Sequence, residues 1–411
     1  MSNAARYAAV NTKIRALEGR FLSDEDYRAL LEKESVLDIV RYLKRTDYRH
    51  AFAGLDEGSL HRGNIEVLLK RYAVDKLVRL RYYYQGRYGK FLNVLLLRFE
   101  VEDLKILFRA IDTDRDYMDS PHSLVYIGRY GDLDFQKLAA SKNLRELAEN
   151  MKGTPYYPYL APLTQDGEQK GRFVIGMALD LAYISIYKRC LELLTEKERR
   201  LVRKIQGMWA DLQNLQWIYR GKKFYHLPPE ILLNYSISFG GRLDDATIKD
   251  LCYSGDVSGM ESRMRGSRYG FLFQHDRTTD MFMERRIFRY LYYRLLEFKR
   301  KSSMDIAATI VFFDLLDFEI RDIITIVENI RYHRGDIGLA VERMEMLNII
   351  GHLEDMNFIS KELVLLGCIH PVNALHEIDS NNFTISTTLK NMDALVDVCF
   401  VKPYRRNQED A

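Results

Sequence analysis

The residues with chemical potential in this chain are scattered. Gly86-Arg-Tyr-Gly-Lys90 has the glycines and terminal lysine of a phosphate-cradling loop. It is too short for a P-loop and continues a helical pattern instead of following a strand. Asp112-Thr-Asp-Arg-Asp116 has the alternating carboxylates that open a calcium loop. Tyr117 stands where that loop needs its glycine, and Ser123 where it needs a bidentate glutamate, so a solvated connector is expected. Asp244-Asp245 lacks the third carboxylate of a magnesium–diphosphate cluster and reads as a helix cap. The nine histidines contain no HExxH pair, and His370 and His376 stand apart from other ligand types. Cys190, Cys252, Cys368 and Cys399 form no CxxC pair and suit a reducing cytoplasm. The triplets Asn234-Tyr-Ser and Asn382-Phe-Thr resemble glycosylation acceptors but mean little in a cytoplasmic chain. The expectation is a noncatalytic protein with no cofactor and no metal.

What would position such residues is helical. The chain has 411 residues, too many for one core, and only 8 prolines, none within residues 1–120 or 230–370. With 47% hydrophobic and 29% charged residues it is an ordinary globular chain, almost entirely α-helical by expectation. Ile65, Leu69, Ala73, Leu77, Leu80 and Tyr84 form one core-facing stripe; Met304, Ala308, Val311, Leu315 and Phe318 form another. Connectors are expected at Gly54–Gly63, Gly153–Gly171 and His226–Pro229. The opening residues lack a secretory h-region, and no apolar run is long enough to span a bilayer, so a membrane role would be peripheral. Phe173–Leu179 and Leu181–Tyr187, split by Asp180, read as a buried helix.

Three segments align. In each, a leucine precedes a tyrosine by the same interval: Leu30 and Tyr48, Leu138 and Tyr156, Leu251 and Tyr269. Each has a Gly-Arg lead-in (Gly19-Arg20, Gly128-Arg129, Gly241-Arg242) followed by an acidic residue placed to cap a helix: Asp24, Asp132 and Asp244. Downstream, Tyr72, Tyr183 and Tyr290 precede Leu104, Leu215 and Ile323 by intervals that agree to within one position. The period set by Tyr48, Tyr156 and Tyr269 is longer than that of common solenoids and implies three homologous helical domains, at residues 1–120, 121–228 and 229–333. Residues 334–411 form an extension whose stretch from 334 to 397 holds ten acidic residues against four basic. Leu339, Met346, Leu347, Ile350 and Leu353 suggest a helix there, and Phe383-Thr-Ile-Ser-Thr-Thr an extended stretch.

Tyr7-Ala-Ala-Val-Asn-Thr-Lys-Ile-Arg-Ala-Leu-Glu-Gly-Arg-Phe-Leu resembles the N-terminus of the C subunit of V/A-type ATPases, the family that includes the d subunit of the vacuolar proton pump. Arg98-Phe-Glu-Val-Glu-Asp-Leu-Lys-Ile-Leu-Phe-Arg-Ala resembles the helix closing that family's first domain, and Phe318-Glu-Ile-Arg-Asp-Ile its last-domain counterpart. The resemblance covers roughly residues 5–335; the acidic extension is longer than the family leads one to expect. It implies an all-α fold of three domains in a pseudo-three-fold funnel. It also implies a noncatalytic rotor part seating the central shaft subunits of D and F type on the membrane proteolipid ring. Contact with the membrane would be indirect, through the ring, at its cytoplasmic face.

Basic stretches recur in all three segments: Arg62–Lys90 with eight basic residues against two acidic, Lys188–Lys204 with seven against three, Glu284–Lys301 with seven against two. From these, Arg79, Arg81, Arg87, Arg200, Arg203, Arg285, Arg286 and Arg289 are candidate partner-interface residues. Tyrosines among them, such as Tyr82, Tyr83 and Tyr293, admit an alternative reading as a helical scaffold for nucleic acid. Overall charge is nearly balanced, 61 basic against 58 acidic residues, which favours a protein partner and no nucleic acid.

Overall fold

The computed structural model describes residues 3–334, apart from 54, 56–61, 113–123, 128–129, 165–171, 240, 274–278 and 302–303. Among the described residues every regular element is a helix. The first aligned segment contains α1 (Asn3–Glu18), α2 (Asp24–Leu31), α3 (Val36–Leu43), α4 (Arg62–Arg81) and α5 (Gly86–Asp112). The second contains α6 (Phe135–Ala139), α7 (Leu144–Asn150), α8 (Tyr157–Thr164), α9 (Arg172–Cys190) and α10 (Glu196–Lys223). The third contains α11 (Pro229–Asn234), α12 (Asp245–Cys252), α13 (Val257–Met264), α14 (Thr279–Lys301) and α15 (Ala307–Arg334). After α1, each segment runs from short helices to a pair of long ones.

Local chemistry explains the short helices. Ser35, Asn143 and Asp256 are N-caps in extended conformation, each accepting from the N3 backbone N–H, of Asp38, Glu146 and Gly259 respectively. All three stand at the same interval before the segment tyrosine. Two residues before that tyrosine, Thr46, Thr154 and Ser267 each accept its backbone N–H through their hydroxyl. One short stretch is therefore written three times in the same hydrogen bonds.

The preceding caps correct the sequence expectation at two places. Asp244 caps α12, as expected, but Ser23 caps α2 and Asp134 caps α6. Asp24 is already the first residue of α2, where it faces the positive end of the helix dipole. Asp132 precedes the Asp134 cap by two residues. The expected connector at Gly153–Gly171 holds α8, a helix with Pro162 inside it. Met304 is not part of the α15 stripe: its φ of 53° places it before the helix, 38% exposed. The solvated connector expected at Asp112–Asp116, Gly128-Arg129, His370, His376 and the extension lie, beyond Asp112 and Arg334, outside the described residues.

Burial follows the predicted stripes. Ile65, Leu69, Ala73, Leu77 and Leu80 of α4 are buried, with Tyr84 just beyond the helix end, and so are Val311, Leu315 and Phe318 of α15. One core gathers residues from α1 to α15; a second joins Val101, Leu104 and Phe108 of α5 to Leu147, Tyr156, Leu160 and Ala178. α5 makes its most extensive packing against α9. α1 is pinned to the start of α10: Glu198 completes the Thr195 capping box and also accepts the hydroxyls of Tyr7 and Tyr88.

Candidate functional site

Three of the landmark tyrosines, Tyr48, Tyr156 and Tyr269, end on carboxylates that belong to a different segment from the tyrosine. Tyr156 of the second segment donates to Glu100 Oε1 on α5 of the first, at 2.7 Å. Tyr269 of the third donates to Asp211 Oδ2 on α10 of the second, at 2.8 Å. Tyr48 of the first donates to Glu319 Oε1 on α15 of the third, at 2.8 Å. First grips third, second grips first, and third grips second, so the three clasps close in a cycle. Glu100, Asp211 and Glu319 each lie four residues before the landmark Leu104, Leu215 or Ile323.

Backbone donors reinforce these clasps. Asp211 also accepts the N–H groups of Arg242 (2.7 Å) and Leu243 (3.3 Å), and Glu319 that of Leu22 (2.9 Å). Three residues after Glu100, and so on the same helix face, Asp103 accepts N–H groups from Val125, Tyr126 and Ile127. At the matching position after Asp211, Asn214 both donates to the Ile237 carbonyl and accepts from the Ile237 N–H. Each of these two long helices therefore fixes the chain as it enters the next segment. Gly241 is required there, because a Cβ on it would collide with Asp211 and with the Gly207 carbonyl.

Burial raises the Glu100 carboxyl to about 7, with Tyr156 opposing and Asp132 and Asp103 adding to the rise. Burial likewise raises Asp211, against its donors Arg242, Tyr269 and Leu243. The three clasp tyrosines are all raised, first by burial and then by the carboxylates they hold.

Where α5, α9, α10 and α15 meet lies a cavity of about 210 Å³. Its charged wall is an ion-pair network linking the segments. Arg98 of α5 reaches Asp314 (3.1 Å) and Asp317 (2.8 Å) of α15, and Arg321 reaches Asp317 at 3.0 Å. Glu102 and Asp180 of α9, which also line the cavity, are bridged by Lys105 at 2.8 Å and 2.7 Å. Burial would raise Asp317, but Arg98 and Arg321 outweigh it and hold the carboxyl at about 2. Asp314 is pushed up to about 6 by burial, with Asp317 adding to the rise and Arg98 opposing it. Asp180 is raised to about 6 by burial, with Lys105 opposing. Phe99, Tyr183, Trp209 and Phe313 supply aromatic wall. Among the described residues no group of three or more His, Cys, Asp or Glu is arranged to hold a metal ion.

Of the eight candidate interface arginines, Arg79, Arg81, Arg87, Arg200 and Arg203 are exposed and Arg285, Arg286 and Arg289 half-buried. Arg200 pairs loosely with Glu196 at 3.6 Å, and Arg87 lies over the Tyr88 ring. Arg285, Arg286 and Arg289 are on α14, where Arg286 donates to the Leu272 carbonyl at 2.8 Å. Sequence reasoning missed the clasp carboxylates and the Arg98 network. The signal for the former was present: an acid four residues before each landmark.

The family model of the ATP synthase (C/AC39) subunit matches residues 10–337, which takes in all three aligned segments. The chain belongs to that family. Its curated relatives include the A-type ATP synthase C subunit of Methanocaldococcus jannaschii, 27% identical over 267 residues, covering 64% of this chain and 66% of the relative. The match thus spans just under two thirds of that relative's length. The counterpart in Methanosarcina mazei is 25% identical, covering 63% of this chain and 70% of that protein. That of Methanosarcina barkeri is 24% identical, covering 70% and 79%. The family match begins inside α1 and runs to the end of α15, so the clasps and the cavity all belong to the family portion of the chain. Among the described residues of this family member no helix is long and apolar enough to cross a membrane.

Proposed function

We propose that the chain is the noncatalytic central-stalk subunit of a V/A-type ATPase or ATP synthase, coupling the central shaft to the membrane proteolipid ring during ion transport. Membership of the ATP synthase (C/AC39) subunit family supports the setting. The observation that carries the mechanical role is the cycle of clasps. A part that transmits torque must not let its segments slide past one another. Here each segment is held by a buried carboxylate on the long helix of another. Twisting any one segment therefore loads all three.

The domains are residues 1–120, 121–228 and 229–333 in a pseudo-three-fold funnel, with 334–411 as an added segment. D- and F-type shaft subunits sit on one face and the ring on the other, at the cytoplasmic side of the membrane, with no nucleic acid involved. The exposed arginines Arg79, Arg81, Arg87, Arg200 and Arg203 contribute to the partner-facing surface, together with Arg285, Arg286 and Arg289 of α14. Of the tyrosines open to the nucleic-acid alternative, Tyr84 and Tyr88 are buried and Tyr290 packs on Tyr269 and Phe271, whereas Tyr82, Tyr83 and Tyr293 are exposed. The nearly balanced overall charge, 61 basic against 58 acidic residues, is what favours the protein partner.

The test is binding of purified shaft and purified ring to the wild-type chain and to a charge-reversed Arg79→Glu, Arg81→Glu, Arg200→Glu, Arg203→Glu variant. Weakened binding to either partner, at least about tenfold at low salt and less at high salt, is expected. Unchanged binding to both would remove the arginine surface from the proposal.

A further inference from the structure

The cavity is lined by a carboxylate one of whose oxygens meets no hydrogen-bond donor among the described residues. Asp314 is 3% exposed, and its Oδ1 takes the Arg98 guanidinium. Trp209 reaches toward the same carboxylate, yet Oδ2 completes no hydrogen bond. A buried carboxylate oxygen without a donor is costly, and native folds rarely leave one so unless something else arrives. The Asp314 side chain lines a cavity of about 210 Å³, room enough for more than one water-sized group, and a small shift of the carboxylate would bring Oδ2 to its surface.

The wall says what would fit. Glu102, Asp180, Asp314 and Asp317 are matched by Lys105, Arg98 and Arg321, an excess of one negative charge in the network. Lys70, which also lines the cavity, is already paired with Glu66 at 2.7 Å. Asp103 is occupied by three backbone N–H groups. A single unfilled oxygen cannot replace the hydration shell of a metal ion, which asks for several ligands at once. It can accept one N–H from an organic cation, and the aromatic wall favours such a cation over an inorganic one. Gln206 and Gln213, two turns apart on α10, add amides to the same lining.

We propose that this cavity binds one alkylammonium or guanidinium group, with Asp314 Oδ2 as its acceptor and Trp209 and Tyr183 among its walls. The group arrives either as a free small amine or as a lysine or arginine side chain of a partner. The proposal stands on the cavity itself and goes beyond the rotor reading.

The experiment is titration calorimetry of the full chain with n-butylammonium, with ethylguanidinium, and with n-butanol as the uncharged match in shape. Binding of a cation and none of butanol is expected. Asp314→Asn, which keeps an oxygen for Arg98, should weaken the cation at least about tenfold, while the surface change Asp38→Asn should not. Should Asp314→Asn fail to fold, the pH series on the wild-type chain gives the same reading. The groups facing the acceptor are Arg98 on α5, Asp180 and Tyr183 on α9, Trp209 on α10, and Asp317 and Arg321 on α15. Asp314 takes up a proton as pH falls through about 6, with Asp180 in the same range, so cation affinity should fall there. Absence of binding by both cations, equal binding by butanol, equal binding by the folded Asp314→Asn variant, or affinity that does not change between pH 7.5 and 5 would each overturn the proposal. The source is read separately: butylammonium that competes with purified shaft points to a side chain, and butylammonium that binds without competing points to a free amine. A shaft that does not bind at all counts against the rotor reading, leaving the probe result intact.

Discussion

A buried carboxylate destabilises a fold unless donors meet it, and the clasp carboxylates differ in how many they have. Asp211 keeps two backbone N–H groups if its tyrosine is removed; Glu100 relies on Tyr156. Tyr156→Phe should therefore cost more than Tyr269→Phe, about 2–3 against about 1 kcal/mol in urea unfolding at pH 8. The difference should shrink at pH 5. The sign follows from linkage. Glu100 has a folded value of about 7, above its unfolded value, so the native state holds a proton that the unfolded state has lost. Stability from this group is full below the unfolded value and falls as pH rises toward 7. Asp180 and Asp314, each at about 6, contribute slopes of the same sign. Glu100→Gln should flatten the stability profile between about pH 5 and 7 and gain about 1–3 kcal/mol on wild type at pH 8. An unchanged profile would mean that Glu100 stays ionised in the fold. The tyrosines of these clasps were legible as repeated landmarks. Their acceptors were not, because an acid within an apolar helix face is normally read as a break in the stripe.

The elements divide along similar lines. The long helix α4 follows from hydrophobic spacing, since its stripe has one face to bury, whereas α15 is buried on every side from Thr309 to Ile320 and its stripe shows only part of that. The short ones depend on which of several adjacent polar residues takes the extended conformation of a cap. Composition alone does not choose between Ser23 and Asp24, or between Asp132 and Asp134. α8 was hidden by Pro155, Pro158 and Pro162, although Pro158 falls in the first turn, where its missing N–H would have had no helical partner. Because Ser35, Asn143 and Asp256 occupy one structural position, Ala at each should cost a similar amount, about 1 kcal/mol. Gly241→Ala is expected to be worse, above about 2 kcal/mol, since the new Cβ meets a carboxylate and a carbonyl at once. Denaturant melts of the four variants check both statements, and an innocuous Gly241→Ala would show that the entry to the third segment is loosely held.

Across the whole molecule, the segments are joined by charge as well as by the clasps. Arg98 and Asp314 lie far apart in the chain, on helices of the first and third segments, which is why no motif or spacing announces their pairing. Removing Arg98 would leave two buried carboxylates facing each other. Arg98→Met should cost about 3–5 kcal/mol, and exposed Arg203→Ala less than about 0.5 kcal/mol. The triple repeat and the family were legible from landmarks that sit in the core and tolerate little change. Exposed arginines obey no packing rule, so their spacing alone does not mark out a partner surface. The central claim is that these three interlocked segments form one rigid coupling between shaft and ring. It is tested most directly by affinity capture of the tagged chain from gently solubilised membranes of its own cell, with the bound proteins identified by mass spectrometry. The account predicts recovery of shaft, catalytic-head and proteolipid-ring subunits together. Recovery of none of them, with the intact rotary machine demonstrably present in the same membranes, would contradict it.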